Sequence, residues 1–351
     1  MALTYSDLRN AIESDLRDSS NTYYATTEID YKIVQGLRET AKYKKHLVRV
    51  TYQIESRYGT ATSGTTTATL EDTTKDQFVP SDVGKRIYNS TDNTWADILT
   101  RTDAENLTLS HNIMASGENY YIFNKGCSNN KQINIGDVED FLWVDRVEYP
   151  IGTERSFEVN GSILEIDVAS VDDSDPNNTD RVIDVYVWFA KRHKLSQLTT
   201  LTGAVNNASG YSKGDTSMAL NTLQSSGTIE EDQEFTLANR PQVYTVTASA
   251  TIATNAATIN FYPGLDADVA HTIVVTFIGS TLDRQLENLL IEYVVSKSLM
   301  DEANLHLPSI STGGTGTYKR FLETAFARYD RVIRQLEGLV ESKVAKRLAR
   351  Y

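Results

Sequence analysis

The chain has little of what catalytic and disulfide-stapled proteins are built from. It contains one cysteine, Cys127, in 351 residues, which excludes an intrachain disulfide framework and a thiolate metal cage. No histidine stands near Cys127 in sequence, so a small residue in a turn is a plainer reading than a catalytic thiol. The five histidines (His46, His111, His193, His271, His306) are scattered, with no pair at metal-ligand spacing. Neither a Gly-x-Ser-x-Gly elbow nor a phosphate-cradling Gly-x-x-x-x-Gly-Lys-Ser/Thr loop occurs. No apolar window approaches the length of a bilayer span. The opening Met1–Asp7 leads straight into a polar helix, so no signal peptide is expected. Proline and methionine are scarce. Thr, Ser, Asn and Tyr abound instead, a composition suited to many short, solvent-facing strands.

Charge is uneven. The net charge is −13, but residues 1–50 carry 8 Lys/Arg against 7 Asp/Glu and residues 281–351 carry 11 against 9, leaving 15 against 31 in between. An acidic centre repels nucleic acid and keeps a crowded assembly soluble.

Helical periodicity occupies both ends. Thr4 with Asp7 forms a capping-box pattern, followed by Leu8, Ile12 and Leu16 on one edge. A second helix, opening at Thr27 with Asp30, runs through Ile29, Ile33, Leu37 and Ala41. After Gly279, Ser280 and Asp283 offer a cap, and Leu282, Leu286, Leu289, Leu290, Val294 and Leu299 form a wide apolar face. The stretch Tyr318–Tyr351 has no proline and one glycine, Gly338. Its apolar residues Leu322, Phe326, Tyr329, Ile333, Leu336, Val340, Val344 and Leu348 trace one stripe of a long helix. Its cationic end reads as an arm reaching another subunit.

Between the ends the period changes to two, with turn residues at regular intervals. Residues 51–126 and 201–280 read as two related β modules in the manner of small antiparallel barrels, the alternative being two unrelated barrels. In that alignment Gly214–Leu220 matches Thr65–Leu70, and Glu234–Asn239 matches Lys85–Ser90. Val243–Thr247 matches Trp95–Leu99, Ala257–Phe261 matches Asn106–Ser110, and Thr272–Phe277 matches Asn119–Phe123. Residues 127–200 form a central β segment with an Asn160-Gly161 hairpin. The expected fold class is α+β: a helical bundle from residues 1–50 and 281–351, with core residues Leu8, Ile12, Ile33, Leu37, Leu286, Leu290, Val294, Phe326 and Ile333. The β modules are insertions hung from it.

Each candidate for chemistry has a blander reading. Thr312–Thr317 lacks the lysine-threonine ending of a phosphate loop and reads as a connector. Asp173-x-Asp175-x-Asn177, with Thr179 and Asp184, is a partial match to a calcium loop, but Asn178 stands where the turn glycine belongs. No metal or cofactor is expected. The carboxylate pairs Asp172/Asp173 and Glu230/Glu231 lie in polar turns. Tyr23-Tyr24 and Tyr120-Tyr121 read as core-edge or interface aromatics ahead of a sugar-stacking platform. The basic runs near 42–49 and 191–194 finish a helix and a strand without aromatic interleaving.

Thr4–Arg9 with Tyr23–Asp30, Leu289–Ala303 and the Arg- and Tyr-rich last helix resemble, in their order, the head-to-tail adaptor (connector) proteins of tailed bacteriophages. The resemblance covers about residues 1–50 and 281–351, with the Phe141–Val147 strand as a plausible third piece. It implies a non-enzymatic virion protein, made in the host cytoplasm and placed at the head-tail junction. It also implies a dodecameric ring of self-associated subunits docked on the portal protein, with DNA passing through its channel without sequence-specific binding. The next tail ring or nozzle protein is a further partner; tail fibres or capsid would meet the β modules, and no membrane is involved. The portal-docking arm corresponds to Val344, Lys346, Arg347, Leu348, Arg350 and Tyr351. Compact adaptors lack two inserted barrels. The competing readings are a receptor- or carbohydrate-binding tail or fibre-attachment protein, and a cell-wall hydrolase, which needs a carboxylate pair in a cleft.

Overall fold

The computed structural model describes residues 4–138, 140–168, 171, 182–196, 201–305 and 315–340. Helices α1 (Tyr5–Asp15) and α2 (Thr26–Tyr43) open the chain. After β1 (His46–Glu55) come β2 (Tyr58–Thr60), β3 (Thr69–Glu71), β4 (Arg86–Asn89), β5 (Thr94–Arg101), β6 (Asn106–Leu109) and β7 (Asn119–Phe123). Then follow β8 (Gln132–Asn134), β9 (Phe141–Glu148), β10 (Glu154–Arg155), β11 (Phe157–Asn160), β12 (Ile163–Ile166) and β13 (Val182–Lys191). The next group is β14 (Thr202–Val205), β15 (Ser217–Asn221), β16 (Ser226–Ile229), β17 (Glu234–Leu237), β18 (Val243–Val246), β19 (Ala250–Ala253), β20 (Ala257–Tyr262) and β21 (Val274–Phe277). Helices α3 (Arg284–Leu305) and α4 (Thr315–Glu337) end the described chain.

This architecture overturns the expected class. Strands hold 36% of the chain and helices 23%, so the protein is mostly β and is not a helical bundle carrying insertions. The four helices share one of the four hydrophobic cores. The other three cores belong to the central sheets, the closed barrel and the half-barrel. Periodicity weighs each helix by its length in sequence. The balance of the fold depends on how much core the strands enclose, and here they enclose most of it.

The central sheet has the order β1-β13-β9-β10, with β1 and β13 paired over ten residues from His46↔Lys191 to Glu55↔Val182. The free edge of β1 is closed by amide side chains rather than by another strand. Gln242 Nε2 donates to the Arg49 carbonyl at 3.2 Å, and Asn124 Nδ2 to that of Gln53 at 2.8 Å. Occupied edge carbonyls are one way to keep a long edge strand from pairing with another chain.

The two outer β modules are topological copies. The half-barrel has the order β2-β7-β4-β5-β6-β3, and the closed barrel, started at β14, runs β14-β21-β17-β18-β20-β15. Element by element this is the alignment expected from sequence. The copies differ where β14 pairs with β15 and closes the second ring, and in the added two-stranded antiparallel sheet of β16 and β19, which flank β17 and β18 in the chain.

Local chemistry explains the helix ends. Thr4 caps α1 in a capping box with Asp7. In α2 the expected cap at Thr27 gives way to Ala25, and Asp30 instead pairs with Arg9 at 2.9 Å across the α1–α2 contact. Asp283 caps α3, accepting from the Leu286 amide at 2.9 Å. The last helix ends at Glu337, where the Gly338 amide donates to the Arg334 carbonyl at 3.1 Å, well short of the expected 34-residue rod. Gly36 sits mid-α2 because α3 presses on it: a Cβ there would stand 2.3 Å from Leu290 Cδ1 and 3.0 Å from Tyr293 Cδ1. Leu290 can swing from an alanine, but a β-branched side chain has no room. Gly36→Val is therefore expected to cost about 1–3 kcal/mol in urea unfolding, the usual range for overpacking, and Gly36→Ala clearly less.

Candidate interaction surfaces

The expected core positions divide. Leu8, Ile12, Ile33, Leu286, Leu290 and Val294 are buried in the helical core, with Leu37 and Ile333 packed at its margin. Phe326 is not part of it. α4 turns Ala325, Val332 and Leu336 inward, so its buried stripe is rotated from the expected one, and Phe326 and Val340 are each 54% exposed. A stripe read from apolar residues alone cannot tell a small residue such as Ala325, admitted by close packing, from a large one left outside. On α2, Tyr31 and Val34 also face solvent. The arm residues Val344, Lys346, Arg347, Leu348, Arg350 and Tyr351 lie outside the described residues, as do Thr312, Asp172, Asp173, Asp175, Asn177, Asn178 and Thr179. Asp184 is described on β13, where it accepts from Gln53 Nε2 at 2.8 Å.

The joint between the central sheet and the half-barrel is ionic. As the chain leaves β1 for β2, Glu55 takes a two-pronged bond from Arg57, at 2.9 Å from Nε and 2.7 Å from Nη2. Arg57 also reaches Asp82, on a 3₁₀ turn at Pro80–Asp82, and the Gln77 carbonyl at 2.6 Å. Lys85 completes the group, contacting Glu55 and Asp82. Glu55, Arg57 and Asp82 are buried. Burial alone would push the two carboxyls up; the adjacent Arg57 and Lys85 hold both below the ordinary carboxylate range. Beside this joint a cleft of about 1060 Å³ opens between the central sheet, half-barrel and barrel. Its walls include Tyr52, Asn124, Asp137, Lys213 and Asp266, with Tyr52 Oη donating to Asp137 Oδ1 at 2.6 Å.

A second joint gathers residues that the sequence holds far apart. His46, at the start of β1, meets the Glu234 carboxylate of β17 at 2.8 Å. The ring of His193 lies 5.8 Å from that of His46. Its Nδ1 donates to the Thr281 carbonyl at 3.1 Å, and its buried Nε2 has no partner. Among the described residues no three His, Cys, Asp or Glu groups converge to hold a metal ion. Cys127 is buried in its turn, and burial pushes its thiol up to about 12, away from nucleophilic use.

The half-barrel carries an outer feature that sequence reasoning misses. Register aligns Tyr58 of β2, Tyr121 of β7, Tyr88 of β4 and Trp95 of β5 in one row across four strands. Phe123 adjoins it. Ring centroids are 5.8 Å apart for Tyr58–Tyr121, 6.2 Å for Tyr88–Phe123 and 4.2 Å for Tyr88–Trp95. Of the paired tyrosines in sequence, Tyr24 and Tyr120 are buried, whereas Tyr23 and Tyr121 face outward. Period two places Tyr121 and Phe123 on one face, but only strand pairing brings Tyr88 and Trp95 beside them.

No helix among the described residues is long and apolar enough to cross a membrane. No family model, curated protein or solved structure matches the chain, so its reading rests on its own residues and geometry.

Proposed function

We propose that the protein is a non-enzymatic structural subunit that assembles with copies of itself into a ring and joins other virion components, as the adaptor resemblance of its ends implies. The observation that supports this most is the outer side of α4. Phe326 stands more than half exposed there, and Val340 just beyond the helix end, while Ala325, Val332 and Leu336 on the opposite side are buried; large apolar groups left open beside a packed face suit a contact with another subunit. The portal protein is the partner the resemblance supplies, and the acidic middle of the chain suits a surface that DNA passes without sticking.

The test is assembly. Light scattering and negative-stain images of the purified protein, alone and with the portal of the same phage, should show rings. Phe326→Asp should shift the population towards the 39.2 kDa monomer while leaving the circular dichroism spectrum unchanged. A wild-type protein that stays monomeric at all concentrations and ignores the portal would sink the proposal.

A further inference from the structure

We propose that the aromatic row of the half-barrel is a binding site for a neutral, extended glycan of β-linked hexopyranose units. This goes beyond the assembly role, which concerns the helical layer.

The row is straight because its four members are register partners on adjacent strands. Three strand spacings give it a length of roughly 14 Å. Tyr58 and Tyr121 are its most open rings, 38% and 39% exposed, and the Lys75 ammonium over the Tyr58 ring must swing aside for a sugar to reach that face. The electron-rich face of an aromatic ring attracts the weakly positive C–H groups on a sugar face. The borders of the row are hydrogen-bonding groups of the kind that recognise hydroxyls. Thr60 and Asn119 bond each other at 2.8 Å beside Tyr58, Asn93 accepts from Tyr88 Oη at 2.6 Å, and Arg86 pairs with Asp97 at 3.2 Å beside Trp95.

The same observations disfavour other occupants. A nucleic acid strand would stack on such rings, but it also needs a basic track for its phosphates. Residues 56–126 carry nine Asp/Glu against six Lys/Arg. The two cations at the row are engaged, Lys75 over the Tyr58 ring at 3.7 Å and Arg86 with Asp97. A protein partner of standard size covers about 800 Å². The row is a narrow strip with polar borders and no aliphatic member, a shape that suits a single chain.

Trp95 makes the test direct. The other two tryptophans, Trp143 and Trp188, lie on β9 and β13 of the central sheet. Titration of the full chain with cellohexaose and with hexa-N-acetylchitohexaose should give a saturable change in tryptophan fluorescence with at least one of them, absent in W95F. Tyr58→Leu keeps bulk but removes the ring, and should weaken binding about tenfold, the equivalent of one aromatic contact, without lowering the thermal midpoint. The proposal is overturned if neither sugar produces a saturable change at millimolar concentration. It is equally overturned if heparin or single-stranded DNA binds more tightly than both, or if Tyr58→Leu binds like the wild type. Fluorescence reads this site and light scattering reads assembly, so either proposal can fail alone.

Discussion

Arg57→Met should destabilise the protein by about 3–5 kcal/mol, the usual cost of removing one partner from a buried ionic group. Methionine replaces the aliphatic stem of the arginine but not its guanidinium head, so little apolar packing is lost. The loss comes from leaving Glu55 and Asp82, both buried, facing each other across a site where only Lys85 remains. Adding Glu55→Gln and Asp82→Asn to the same variant should recover part of the loss, because no uncompensated carboxylate is then enclosed. Urea unfolding, with Trp95 reporting on the half-barrel and Trp143 and Trp188 on the central sheet, also shows whether the half-barrel comes loose first. A loss below about 1 kcal/mol, the value of an exposed pair, would mean that water reaches the group.

The same joint has a defined response to acid. Both carboxyls titrate below their ordinary values in the folded protein. Their contribution is therefore fully present above the ordinary carboxylate range and is lost as pH falls through the lower folded values.

The second large effect belongs to His193 and appears at milder pH. Burial first, and then the neighbouring His46, lower its imidazole from 6.5 to about 4, against the opposing pull of the Thr281 carbonyl, Asp283 and the Lys44 backbone. With Nδ1 committed to Thr281, protonation would place a charge on the buried Nε2, and the Lys44 backbone nearby offsets only part of that cost. The folded protein thus favours the neutral ring, whereas the unfolded chain takes up the proton near 6.5. Stability is complete above that value and declines as pH falls from about 6.5 to about 4, by about 3 kcal/mol in all. His193→Asn retains a donor for Thr281 but cannot titrate. Chemical unfolding at a series of pH values should show this decline in the wild type and a flatter profile in the variant. Equal slopes would mean that the imidazole is hydrated in the folded state. The joined elements are α2 through its neighbour β1, the closed barrel through Glu234, and the approach to α3 through Thr281. Loosening here should therefore expose more than one body at once.

Much of the local structure was legible because it depends on neighbours in sequence. The Thr4–Asp7 box, the helical runs around Ile33 and Leu290, the hairpin at Gly161 and the repeated order of strands in the two β modules all follow from residues a few positions apart. The repeat survives low identity because alternation and turn spacing, rather than particular side chains, carry a strand order. The reading of α4 went astray at Phe326 because α3 selects the buried face by fit, and admits Ala325. The expected bundle failed for a related reason: periodicity identifies helices without revealing how little of the total core they enclose.

The sequence by itself therefore determined most of the elements, the capping box at Thr4, the strand order shared by the two β modules and the acidic character of the middle of the chain. Tertiary structure alone decided that β dominates. It also brought His46, His193 and Glu234 together, sealed Arg57 between two carboxylates, and lined up Tyr58, Tyr121, Tyr88 and Trp95. The physical reason is range. Hydrogen-bonding periodicity and turn chemistry act over a few residues, whereas burial, ion pairing and ring contact act over a few ångströms between segments whose separation in the chain carries no information about their distance in space.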